Sequence, residues 1–190
     1  MTTSTATPTA LFAQRAEQFS RILDGAGDRW DAPSPCADWT IRDLVGHVIA
    51  TEREFLARHD LLTTPEPSLA DPAAAWRAHA AGTLAALTAE GVAERAYDGY
   101  FGPTTIGATL GEFYGWDLVI HGWDVARGTG QDWSISEDEA RALGAEADGW
   151  GDALYGEGIC AAPVEVADDA SLGDRLLGRL GRDPRWKAPA

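Results

Sequence analysis

Four stretches of this chain carry apolar residues at helical spacing, and no series of segments shows the alternation of half-buried strands. That pattern narrows the fold more than any other feature. Leu11, Phe12, Ala16, Phe19, Ile22 and Leu23 form the first stripe. Ile41, Leu44, Val45, Val48 and Phe55 form the second, an Ala-rich segment from about Asp71 to Thr88 the third, and Ile106, Leu110, Phe113 and Ile120 the fourth. The predicted class is all-α, a bundle of up-down helices of about sixteen to twenty residues.

The punctuation agrees. Pro8 suits a first helical turn, and Gly25 and Gly27 suit an exit. A Pro-rich loop from Trp30 to Trp39 leads to Thr40-Ile-Arg-Asp43, a near capping box that opens the second helix. Thr63-Thr-Pro-Glu-Pro67 breaks that helix, and Gly128-Thr-Gly130 ends the fourth. Ser136-Glu-Asp-Glu139 reads as a capping box for a fifth helix reaching about Leu154, and a short helix is expected from about Ser171 to Leu180. Gly91 to Thr105 reads as an irregular connection with some extended structure, and Pro163-Val-Glu-Val166 as extended. Residues 1–190 are expected to form one domain, with 1–9 as a frayed tail.

Thirty acidic residues against fifteen basic ones give a net charge of −15, which repels nucleic acid and anionic lipid. No apolar run reaches the length needed to span a membrane. The first residues lack a basic start and a long apolar run, so no secretory signal is read. Two cysteines, Cys36 and Cys160, are too few for a disulfide framework. A cytoplasmic protein with reduced thiols, acting on small molecules, is the expectation.

The chemistry concentrates on the fourth helix. At about 100° per residue, Asp117, His121 and Asp124 fall in the stripe that should face the core. A buried carboxylate is costly unless paired. Asp117 and His121 are four apart and meet on one face, either as a satisfied polar pair or as two ligands for a divalent metal. His47, at the edge of the second stripe, is a candidate third ligand, and Glu52 a weaker one. His59 and His79 read as surface or boundary residues, and both cysteines as loop packing. Asp124 and Arg127 are candidates to support the ligands from behind, while Trp39, Trp116 and Trp123 read as core packing or pocket wall.

Three segments carry a family resemblance. Pro35-Cys-Ala-Asp-Trp-Thr-Ile-Arg-Asp-Leu-Val-Gly-His47 resembles the loop and second helix of the DinB-like superfamily. Asp117-Leu-Val-Ile-His-Gly-Trp-Asp-Val-Ala126 and Leu176-Leu-Gly-Arg-Leu-Gly-Arg-Asp-Pro-Arg-Trp186 resemble its mycothiol-dependent maleylpyruvate isomerase-like, metal-binding branch. The resemblance spans about Leu11 to Trp186 and implies a DinB-like four-helix bundle with short extra helices and an irregular C-terminal tail. It also implies a divalent metal, zinc foremost and nickel or another ion otherwise, held by His47, Asp117 and His121. The superfamily often has His or Glu where Asp117 stands. A low-molecular-weight thiol such as mycothiol is implied as cofactor or co-substrate.

The resulting expectation is a metal- and thiol-dependent transferase or isomerase acting on a small electrophile. A non-catalytic metal-binding protein and a bundle that pairs as a homodimer stand as alternatives. The resembled isomerase carries a further C-terminal domain for which the 190 residues leave no room, so the bundle alone is expected.

Overall fold

The computed structural model describes residues 6–36, 38–156 and 158–188. Helix α1 (Pro8–Asp24) starts with Pro8 in its first turn, and the Thr7 hydroxyl accepts from the Ala10 amide. Helix α2 (Ile41–Arg58) begins with a complete capping box: Thr40 accepts from the Asp43 amide while the Asp43 carboxylate accepts from Thr40. Helix α3 (Pro72–Leu87) is capped by Asp71. Helix α4 (Ile106–Ala108) passes through a π-helical stretch (Thr109–Tyr114) directly into α5 (Gly115–Thr129), which stops at Gly130 with φ of 71°.

Four of these helices close a ring. Helix α1 packs on α3 and α5, and α2 packs on the other side of the same two. Phe12, Leu44, Trp76, Ile106, Leu110 and Val125 are sealed between them. Each such side chain gains about 1.5–3 kcal/mol from leaving water. Helix α5 is buried on nearly all sides. Its Trp116, Val119 and Trp123 face a second cluster with Leu143 of α6 (Glu137–Trp150) and Leu176 and Leu177 of α7 (Leu172–Arg179). Gly122 permits close contact with α1, since a Cβ there would sit 2.9 Å from Ile22 Cδ1.

The all-α bundle matches expectation; several details do not. The Gly91–Thr105 connection contains a β-hairpin, β1 (Ala96–Gly99) paired antiparallel with β2 (Gly102–Thr105). Its two-residue turn, Tyr100-Phe101, is followed by Gly102 at φ 114°. Pro163–Val166 forms no strand; the Val164 amide instead donates to the Gly178 carbonyl. Of the expected 1–9 tail, residues 1–5 lie outside the described residues, Thr7 caps α1, and Pro8 and Thr9 are helical. Ser136 caps α6, but the Glu139 carboxylate accepts from Gln18 of α1.

The fourth helix differs most. Its π stretch widens the turn and rotates everything after Tyr114 relative to Ile106 and Leu110. Arg15 holds the widened turn from α1: its Nη1 donates to the carbonyls of Gly111 (3.0 Å) and Glu112 (3.3 Å), and its Nη2 pairs with Glu146. Past the π stretch, Ile120, His121 and Asp124 stay buried as the wheel predicts, but Asp117 does not. Its side chain is 27% exposed on a pocket wall, not in the core. No helix of the described residues is long and apolar enough to cross a membrane.

Candidate metal centre

Helices α2 and α5 run side by side and present His47, Asp117 and His121 to a cavity of about 560 Å³. One donor atom from each of the three lies within 4.8 Å of the others. His121 Nε2 is 3.4 Å from Asp117 Oδ1. Two donors each about 2.05 Å from a tetrahedral ion lie about 3.4 Å apart, so the spacing of this ion pair is also one that a ligand pair would have. Trp39 packs its ring on His47 with centroids 4.6 Å apart, which fixes the imidazole that the second helix supplies.

Behind the trio stands a buried charge cluster. Asp124 has no solvent exposure, and its Oδ2 faces His121 Nδ1 at 3.0 Å. Burial alone would raise the Asp124 pKa, but Arg182 and then His121 outweigh it and hold the value at about 2. An ionised Asp124 can only accept, so His121 carries its proton on Nδ1 and turns Nε2 toward Asp117. Arg182, reaching in from the segment after α7, donates to Asp124 Oδ2 at 3.1 Å and Oδ1 at 3.4 Å. The Cys36 thiol donates to the same Oδ2 at 3.3 Å.

The two imidazoles titrate in opposite directions. Burial and the neighbouring His121 lower the His47 pKa more than Asp117 raises it, so His47 presents a free nitrogen at neutral pH. Burial pulls His121 down too, but Asp117, Asp124 and Cys36 more than offset it and raise its pKa to about 10. Without a cation, a proton occupies His121.

A second group, Cys36, His121 and Asp124, also brings donors within 4.8 Å. The Arg182 guanidinium already occupies the Asp124 oxygens there, so a metal would face a fixed positive charge. The His47–Asp117–His121 group has no such competitor and opens to a cavity.

Four readings of the sequence need correction. Cys36 is not mere loop packing: the loop folds back on α5 and brings its thiol to Asp124. His79 is 3% exposed, not a boundary residue, and its Nε2 lies 2.9 Å from Glu52 Oε2. Glu52 accordingly pairs within the α2–α3 contact and is not among the donors that group with the trio. Arg127 lies over the Trp123 ring at 5.3 Å and makes no ion pair or hydrogen bond with the cluster. Trp39 and Trp116 line the cavity, and Trp123 is core.

Arg182 is the functional residue that helical periodicity did not reveal. The signal available was indirect: a carboxylate as deep as Asp124 demands a cation.

Fold and site together define a helical bundle with an open His-His-Asp trio between two helices. The family model described as the mycothiol maleylpyruvate isomerase N-terminal domain matches residues 12–126, and the chain belongs to this family. Two uncharacterized proteins of Mycobacterium tuberculosis, from strains CDC 1551 / Oshkosh and H37Rv, are each 30% identical over 141 residues. The match covers 67% of this chain and 70% of each relative. No solved structure matches the chain.

Proposed function

We propose that His47, Asp117 and His121 hold one divalent metal ion, zinc foremost, and that the protein uses it to activate a low-molecular-weight thiol against a small electrophile. The family name supports mycothiol as that thiol. The observation that carries the reading is the donor geometry: three unblocked donors of a type suited to zinc or nickel, two of them 3.4 Å apart, on a cavity wall. The fit is chemical as well, because His47 is already neutral and Asp117 supplies one negative charge.

Three protein ligands leave a position open, the pattern of catalytic rather than structural sites. When bound there, a divalent ion lowers the pKa of a coordinated thiol and supplies thiolate at neutral pH. The chain's own residues do the rest. Asp124 fixes the tautomer and the aim of the His121 ring, and Arg182 keeps Asp124 ionised while it does so. Trp39 and Trp116 wall the cavity and reduce water access to the donors. The reaction class is thiol transfer or thiol-assisted isomerisation.

The test is metal content of protein purified without a histidine tag. About one divalent ion per chain is expected, falling to background in His121→Ala. Metal-free protein whose melting is unmoved by zinc, nickel or chelator overturns the reading.

A further inference from the structure

A larger cavity, about 860 Å³, adjoins the one that holds the trio, and the two share Arg58, Phe113, Tyr114 and Ile159 in their walls. A volume of this size suits a small-molecule ligand. The β-hairpin, the π stretch and α6 enclose it. Its aromatic wall is Phe101 from the hairpin turn, Phe113 from the π stretch and Trp150 from the end of α6. Phe101 and Trp150 are near-parallel at 5.5 Å and 24°, and Phe113 meets both at 5.5 Å. Phe101 stays 38% exposed and Tyr100, beside it, 76%. Large aromatic side chains left open to water at the rim of a cavity are costly unless something covers them.

The charges around this cavity decide what it accepts. Arg58 is its only Arg or Lys, and its guanidinium has Glu54 at 4.0 Å. The same lining carries Asp98, Glu112 and Glu146, and Arg15 pairs only with the last. The lining is therefore net negative, and it repels a carboxylate or a phosphate.

We propose that this cavity binds neutral, planar aromatic or conjugated molecules. Its role as the seat of the electrophile rests on the thiol-transfer reading above; its binding preference does not. Planar rings slot against the Phe101–Trp150 wall, and the excess of carboxylates in the lining selects against anionic ones.

The experiment follows fluorescence of a neutral dye, 6-propionyl-2-dimethylaminonaphthalene, and an anionic one, 1-anilinonaphthalene-8-sulfonate, with the full chain. The neutral dye is expected to bind at least tenfold more tightly, and Phe101→Ala and Trp150→Ala each to weaken it about tenfold. Phe101→Ser, at the exposed hairpin turn, serves where Trp150→Ala loses its circular dichroism. In Asp98→Asn/Glu112→Gln the gap between the dyes narrows. Equal or tighter anionic binding, no binding of the neutral dye, or binding indifferent to Phe101 overturns the proposal. Each titration is repeated with chelator and in His121→Ala. Neutral-dye binding that persists without metal supports the cavity even where zinc is absent. A zinc-loaded protein that ignores the neutral dye keeps its metal site and loses this inference.

Discussion

His121 Nδ1 and Arg182 Nη2 converge on a single oxygen, Asp124 Oδ2, at 3.0 and 3.1 Å. The carboxylate thus joins the His121 ring to a cation from the segment after α7. Removing Arg182 leaves Asp124 buried without the main cation that holds it ionised. Arg182→Met is expected to lower unfolding free energy by about 3–5 kcal/mol in urea titration. Adding Asp124→Leu to it should recover much of the loss, because no orphaned charge then remains. A neutral effect of Arg182→Met alone would contradict the pairing.

Asp124→Asn keeps the shape but withdraws the charge that faces His121. Zinc affinity, measured by competition with a chromophoric chelator, is expected to fall about 10–100-fold. The same variant reports on acid stability. Asp124 titrates at about 2 in the fold against an ordinary 3.8. Its stabilisation is therefore present above pH 3.8 and lost as pH falls toward 2, worth about 2 kcal/mol in full. Measured with chelator present, wild type and Asp124→Asn should converge in stability across that window.

A metal at the proposed site has to displace a proton from His121. Its pKa is raised to about 10, so the metal-free site is protonated there at pH 7, whereas His47 is not. Zinc uptake at pH 7 should release about one proton per chain, and affinity should climb about tenfold per pH step toward 10. Calorimetry in buffers of different ionisation heat measures the number directly. No proton release would show that His121 is not the nitrogen displaced.

The Glu52–His79 pair behaves in the opposite sense to Asp124. Burial raises the Glu52 pKa above its ordinary 4.5, against the pull of His79. A raised carboxyl stabilises the fold at low pH, and this contribution drains away as pH climbs above 4.5. Glu52→Gln should flatten that decline, so the variant gains on wild type in melting temperature as pH rises. A parallel pair of curves would refute it.

Arg15 ties the π stretch to α1 and α6 at once. Arg15→Met strips two carbonyls and Glu146 of their donor and should cost about 2–4 kcal/mol. Amide exchange should accelerate most between Gly111 and Gly115, whereas a uniform increase would indicate global loosening instead.

Periodicity and turn chemistry displayed the bundle in the sequence, because long amphipathic stripes and capping residues act locally. Asp117 and His121 were legible for the same reason: four residues apart, they meet on any helix. What stayed hidden depends on contacts distant in sequence or on a break in regular geometry. No residue type announces the π stretch, nor the cavity that leaves Asp117 partly exposed while His121, one turn on, is buried. The Cys36 loop folds back onto α5, and Arg182 reaches a residue 58 positions earlier. Glu52 and His79 find each other across two helices, so neither looks paired when its own helix is read alone.

The late position of Arg182 also sets an order of events during synthesis. A ribosome delivers His47, Asp117, His121 and Asp124 well before residue 182 emerges. Until it does, the nascent bundle holds an acidic side chain whose only charged partner is His121 and which lacks the larger stabilisation from Arg182. The trio on α2 and α5 can gather early, but the charge cluster behind it closes only when the segment carrying Arg182 docks, so the order of synthesis separates the two.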